Sequence, residues 1–225
     1  MRRILGFRAR RAILALLVLL GLTLAVGCGK DTASSGAGSG CSYPTAGEAA
    51  KPVKPPATTG VRTTGTARYV LHLKQGNVSI TLDRAKAPCT VNSFESLAKQ
   101  GYFDQTSCHR LTTEGIFVLQ CGDPTGSGRG GPGYSFADET TGHDTYLKGV
   151  VAMANAGKNT NGSQFFLVYA DSKMLDKQPN YTVFGQLDAA SVAVVAKIAA
   201  AGTDAPGDGH PLSPVKITSV TAAGS

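Results

Sequence analysis

The stretch from Met153 to Phe166, MANAGKNTNGSQFF, constrains the fold more than any other part of this chain. It opens apolar, crosses a polar loop rich in Asn and Gly, and re-enters an apolar strand through Gln164. Asn161-Gly162 is a strong turn signal because both residues tolerate positive φ. Phe165 and Phe166 stand side by side, so on a strand they face opposite ways. One of them therefore belongs to plain core, and the expectation is Phe165. Upstream, Cys108-His109-Arg110-Leu111 and Phe117-Val118-Leu119-Gln120-Cys121-Gly122-Asp123 add an Arg, a second Gln and more apolar groups. The combination holds no convincing acid–base pair and no activated nucleophile. Cys108 and His109 are adjacent, and adjacent strand residues point to opposite faces, so they cannot form a thiol–imidazole dyad with each other.

The rest of the pattern reads as short strands and two helices. Ala67 to Lys74 and Val78 to Asp83 form a hairpin around Gln75-Gly76-Asn77, with Val78, Ile80 and Leu82 alternating. Pro88 suits a first helical turn, Val91, Phe94, Leu97 and Ala98 share one face, and Gly101 fits just past the end. Short strands follow at 109–111, 117–120, 149–153, 165–168 and 182–186. A second helix runs from Ala189 to Ala200 with Val192, Val195 and Ile198 inward, and Val215 to Thr221 closes the chain. The expected class is mainly β with two helices: a closed antiparallel barrel whose ends the helices cap.

The first residues carry Arg2, Arg3, Arg8, Arg10 and Arg11, and Ala12 to Val26 is almost wholly apolar. This is the charged start and apolar middle of an export signal, and it is shorter than the roughly 20 apolar residues of a spanning helix. It ends in Leu24-Ala25-Val26-Gly27-Cys28, which resembles a bacterial lipobox with Cys28 as the lipid-bearing residue. Ala25 departs from the Leu usual there, and ordinary signal-peptidase cleavage after Gly27 is the alternative. Arg10-Arg11 is a weak twin-arginine hint. Loss of residues 1–27 takes five of the 22 basic residues and none of the 15 acids, leaving 17 against 15 and a net charge of +2. The high formal charge therefore belongs to the leader and gives no support to nucleic acid binding.

Residues 28–66 are rich in Gly, Ser, Thr, Ala and Pro and read as a flexible linker, and 67–225 as one ordinary domain. After Cys28 the cysteines are Cys41, Cys89, Cys108 and Cys121. None forms a Cys-x-x-Cys pair, and His72, His143 and His210 lack ligand spacing, so no metal or other cofactor is expected. One disulfide drawn from Cys89, Cys108 and Cys121 is expected, with Cys41 in the linker as the thiol that can stay free. Gly126 to Gly133 lacks the Lys and following helix of a phosphate-binding loop.

From about Ala67 to the C-terminus the chain resembles the cyclophilin-type peptidyl-prolyl isomerases, on the strength of the Met153–Phe166 loop and the Arg110 and Gln120 segments. The resemblance implies an eight-stranded barrel with its active site on the outer surface. It implies Arg110 as the catalytic cation and Gln120 as the residue that orients it. It implies Phe117, Val118, Phe166 and Leu175 as a socket for proline, Ala154 and Asn155 as the backbone platform gripping substrate, and Gln164 as a nearby polar contact. Gly128 is similar to the glycine bordering the neighbouring subsite. Tyr181 stands where many relatives carry His, and rim loops are longer between Arg110 and Phe117 and around 177–180. Met174 stands where cyclosporin-sensitive relatives carry Trp, which implies weak cyclosporin binding.

The expected partners are proline-containing polypeptides, handled by a monomeric domain that aids folding of exported proteins. The expected location is the extracytoplasmic face of the cell membrane, held by lipid on Cys28, with secretion as the alternative. A proline-peptide-binding chaperone module without turnover is the competing reading; intact Arg110 and Gln120 favour the enzyme over it. A structural envelope protein with a decayed site is disfavoured by the preserved loop. In cells labelled with a palmitate analogue, the wild-type chain should take up label and Cys28→Ser should remain unlipidated. A wild type that takes up none removes the lipoprotein reading.

Overall fold

The computed structural model describes residues 40–177 and 180–224. The leader, Cys28 and the linker up to residue 39 lie outside the described residues. The strands run in order β1 (Thr45–Ala49), β2 (Thr66–Leu73), β3 (Gly76–Asp83), β4 (Thr106–Cys108), β5 (Arg110–Thr112) and β6 (Val118–Cys121). They continue through β7 (Pro132–Tyr134), β8 (Val150–Met153), β9 (Phe165–Val168), β10 (Val183–Leu187), β11 (Asp208–Gly209) and β12 (Val215–Ala222). Helix α1 (Pro88–Lys99) follows β3, α2 (Ala189–Ala200) follows β10, and a 3-10 turn spans Leu175–Lys177.

Alternation builds the sheet's core face. In the β2–β3 hairpin, Leu71 pairs with Val78, Tyr69 with Ile80 and Ala67 with Leu82. Val78, Ile80 and Leu82 are fully buried, because residues two apart share one face. Phe165 lies in the same core, packed edge-on against Phe94 and Phe103. Phe166 joins a second cluster with Val118, Tyr146, Val150, Ala152, Val168 and Val183 on the other face.

Each helix has its own start signal. The first residue of α1 is Pro88, and no side chain of its preceding residue caps it. Instead the distant Glu139 carboxylate accepts from the Cys89 and Thr90 N–H groups at 2.9 and 2.8 Å, satisfying donors that a helix start leaves open. In α2, Asp188 accepts from the Ser191 N–H at 2.7 Å, an ordinary N-cap. Val195 and Ile198 face inward as expected, whereas Val192 is only partly buried.

The expectation of a closed eight-stranded barrel needs correction. Ten antiparallel strands form one curled sheet in the order β11-β5-β6-β9-β8-β10-β3-β2-β12-β4, and β1 and β7 form a separate pair. The sheet approaches closure where β4 meets β6, but no ladder forms there. The seam is joined by the His109 N–H donating to the Gln120 carbonyl at 3.0 Å and by a Cys108–Cys121 disulfide. Strands β4 and β5 are three residues each, separated only by His109, too short to complete a ladder.

The flexible linker is also corrected from Cys41 onward. Cys41 is not free: it is disulfide-bonded to Cys89 at the start of α1, so the domain carries two bridges rather than one. Tyr43 is buried, packs edge-on against Tyr134 and Phe136, and donates its hydroxyl to the Cys89 carbonyl at 2.8 Å. Burial away from water pushes the Tyr43 hydroxyl up to about 12. Strand β1 then pairs with β7. A Cys and one aromatic anchor are enough to dock a segment whose composition otherwise looks loose.

Alkylation of the oxidised protein should find none of these four thiols free. By loop entropy, removing Cys108–Cys121, 13 residues apart, should cost about 3 kcal/mol and removing Cys41–Cys89, 48 apart, about 4 kcal/mol in denaturant unfolding. Free thiols at Cys41 and Cys89 would contradict the docked arm.

Candidate active site

Register places the polar groups. Arg110 on β5 lies directly opposite Gln120 on β6, Gln120 lies opposite Phe166 on β9, and Phe166 lies opposite Ala152 on β8. One row of the sheet thus runs from a cation through an amide to an aromatic ring. A cavity of about 420 Å³ opens over this row. Arg110, Val118, Gln120, Gly128, Ala154, Asn155, Phe166, Leu175 and Tyr181 all border it.

Two of the residues named from the sequence stand elsewhere. Gln164 borders an adjoining groove and reaches the site through Gln120. Phe117 does not border the cavity; its ring meets Tyr169 edge-on at 6.0 Å, and Ile116 borders the cavity instead. Alternation explains this, since Ile116, Val118 and Gln120 are two residues apart and share a face. The same spacing in the sequence was the signal that could have pointed to Ile116.

The Arg110 side chain is clamped. Its Nη1 donates to Gln120 Oε1 at 3.1 Å. Its Nε and Nη2 donate to the two carboxylate oxygens of Asp208 at 2.8 and 2.7 Å. The Asp208 hydrogen bonds hold Arg110 above its ordinary range and hold the Asp208 carboxyl below its own, so the pair is ionised. Asp208 sits 98 residues along the chain from Arg110, and no local pattern announces it.

A relay of amides continues from the clamp. Gln120 Nε2 donates to Gln164 Oε1 at 2.8 Å, and Gln164 Nε2 donates to the Gly128 and Gly130 carbonyls at 2.9 and 3.0 Å. This bonding assigns each amide's orientation: Gln120 must present its oxygen to Arg110 and its nitrogen to Gln164. The glycine loop is held from beneath by buried Asp123, which accepts from the Thr125 and Gly130 N–H groups at 2.7 and 3.0 Å. Burial pushes the Asp123 carboxyl up, but the bonds from Thr125 and Gly130 outweigh it and leave it below the usual range. A Cβ on Gly130 would fall 2.0 Å from Asp123 Oδ1, so only glycine fits there.

The apolar side is equally fixed. The Phe166 ring lies edge-on to Tyr181 at 5.5 Å, and Tyr146 grips the Tyr181 backbone from both sides, donating to its carbonyl at 2.8 Å and accepting its N–H at 2.9 Å. The Asn155 amide donates to the Asn180 carbonyl at 2.9 Å, anchoring the loop that carries Ala154. His109 and His210 also border the cavity, although the sequence placed neither in the site. His109 is buried, and burial pushes its imidazole below the ordinary value. Among the described residues no cluster of His, Cys, Asp and Glu has metal-holding geometry.

The fold is a curled antiparallel sheet with two helices, and it carries an arginine beside an apolar socket. The chain matches the family described as cyclophilin type peptidyl-prolyl cis-trans isomerase over residues 68–222. It is 48% identical over 203 residues to a protein named "Probable peptidyl-prolyl cis-trans isomerase B" from Mycobacterium tuberculosis, covering 83% of this chain and 65% of that protein's length. It is 41% identical over 174 residues to peptidyl-prolyl cis-trans isomerase A of the same species, covering 69% of this chain and 92% of that one. A crystal structure of a Cryptosporidium parvum cyclophilin type peptidyl-prolyl cis-trans isomerase, in the presence of the dipeptide Ala-Pro, matches with TM-score 0.62 and 26% identity over 70% of this chain and 99% of that one. The chain belongs to the cyclophilin-type peptidyl-prolyl cis-trans isomerase family.

Proposed function

We propose that this protein is a peptidyl-prolyl cis-trans isomerase, and the observation that carries the reading is Arg110 clamped beside an apolar socket. The peptide bond resists rotation by about 18–20 kcal/mol because the nitrogen lone pair is delocalised into the carbonyl. Before proline the cis form lies only about 0.5–1 kcal/mol above trans, so both isomers are accessible but exchange slowly. A catalyst has to weaken the conjugation and breaks no bond. The prolyl ring sits in the socket of Ile116, Val118, Phe166 and Leu175. The guanidinium then donates to the prolyl nitrogen as its lone pair localises, and this bond exists only in the twisted state. The loop at Ala154 and Asn155 holds the flanking backbone. The Ala-Pro dipeptide accompanying the Cryptosporidium structure supports proline-containing peptides as substrates.

The location is part of the same proposal. The protein acts outside the cytoplasm on exported chains, tethered through Cys28. The leader pattern and two disulfides among the described residues support an oxidising compartment, where such bridges persist.

In a protease-coupled assay of a proline-containing peptide, Arg110→Ala in the full chain should lower kcat/KM on the order of 10²- to 10³-fold with the fold intact. Arg110→Lys should also be poor, because an ammonium lacks the planar fork. A folded Arg110→Ala protein with near wild-type kcat/KM overturns the mechanism, and a wild type that binds the peptide without turnover makes the protein a binding module. Cyclosporin should inhibit weakly. Met174 is 57% exposed on the rim against Gly115, and a thioether offers no N–H. Met174→Trp should tighten inhibition by about 0.5–1.5 kcal/mol, the worth of one hydrogen bond. Low-nanomolar inhibition of the wild type would contradict this.

A further inference from the structure

The clamp on Arg110 has two jaws, and the Asp208 jaw is built with care. Asp208 sits on β11, which pairs with β5 so that Gly209 lies opposite Leu111 and Asp208 opposite Thr112. The loop carrying it is closed on itself: the Asp204 N–H donates to the His210 carbonyl at 3.0 Å, and Asp204 Oδ1 accepts the His210 N–H at 2.7 Å. A Cβ on Gly209 would press on that same Asp204 oxygen and on the Ala205 backbone, so a larger residue there would disturb the closure. The Thr113 N–H donates to the Gly207 carbonyl at 2.8 Å and pins the loop to the rim beyond β5. The carboxylate is therefore delivered by a rigid element, although its own side chain is 52% exposed.

The donor count shows what this delivery achieves. A guanidinium has five N–H donors in one plane. Asp208 takes two, through Nε and Nη2, and Gln120 takes one through Nη1. One donor on each terminal nitrogen remains, and Arg110 borders the cavity. A single acceptor at Nη1 leaves a guanidinium free to swing about that contact. A bidentate acceptor on the opposite edge fixes both its plane and its tilt.

We propose that Asp208 is a positioning residue for the reaction, holding the Nε and Nη2 edge of Arg110 so that the remaining terminal N–H donors face the prolyl nitrogen. This rests on the isomerase reading above. Asp208 touches no substrate in this arrangement and acts only through Arg110. Its loss therefore weakens an interaction made in the twisted state more than it weakens ground-state binding.

The test uses the full chain in detergent and three variants. Asp208→Ala and Asp208→Asn should each lower kcat on the order of ten- to a hundredfold through misplacement of the guanidinium, with KM changed by less than about twofold. Asp208→Glu, which keeps a two-oxygen acceptor, should recover part of the loss. Thermal unfolding should stay near wild type, since the side chain is exposed. In parallel, nitrogen-15 NMR of the Arg110 Nε–H should show a slowly rotating guanidinium in wild type and fast averaging in Asp208→Ala. Unchanged kcat overturns the proposal, and so does a raised kcat, the mark of a carboxylate that holds the cation away from substrate. An equal rise in KM with kcat unchanged makes Asp208 a binding residue and also overturns it. A wild type with no turnover sinks the isomerase reading itself, and the NMR comparison then decides alone whether Asp208 fixes Arg110.

Discussion

The seam between β4 and β6 is the constraint on which the rest of the molecule depends. A twisted antiparallel sheet curls, and this one brings its last strand back toward its third without a ladder to join them. His109 and the Cys108–Cys121 disulfide make the join instead. Arg110 follows His109 directly, and Gln120 both accepts the His109 N–H through its carbonyl and precedes Cys121 directly, so the two site residues sit at or beside the closure. The same joint that holds the sheet curled therefore sets the separation of the cation from its amide partner.

From that joint outward, the site is a line of hydrogen bonds with one sense of direction. A carboxylate holds the guanidinium, the guanidinium holds one amide oxygen, and that amide's nitrogen holds the next amide, which ends on two glycine carbonyls. Every group in the line is oriented by its neighbour before substrate arrives. A reaction without a covalent intermediate gains chiefly from such preorganised donors, because nothing else in the site changes charge. The neighbouring apolar wall is built from the opposite property, a sheet face covered by Tyr146 and loop residues that together leave an open socket.

The docked N-terminal arm links this site to the rest of the chain. Residues of β1 and the glycine loop share a groove beside the cavity. The arm is held by Cys41–Cys89 at one end and by Tyr43 in the aromatic cluster. In an unfolded chain those contacts are far apart, and one cross-link removes much of the entropy that would oppose docking.

What was legible in the sequence was local. The alternation of Val78, Ile80 and Leu82, Pro88 at the start of α1, and the opposed faces of Phe165 and Phe166 follow from the periods of strand and helix, which need only neighbouring residues. Arg110, Gln120 and Phe166 are legible only through the resemblance of their segments to a known family, because a lone arginine or glutamine on a strand carries no period of its own. Ile116 is legible by the same alternation with Val118 and Gln120, whereas the resemblance points to Phe117. The curl of ten strands short of a closed barrel, the pairing of Cys41 with Cys89, strands β1, β7 and β11, and the Asp208 clamp were decided only in three dimensions. Each joins segments far apart in the chain, and β7 and β11, of three and two residues, carry too few side chains to show a period. Asp208 alone is a solvated charge in a polar loop; opposite Arg110 it becomes part of a site, because only the folded sheet brings two charges so distant in sequence within hydrogen-bond reach.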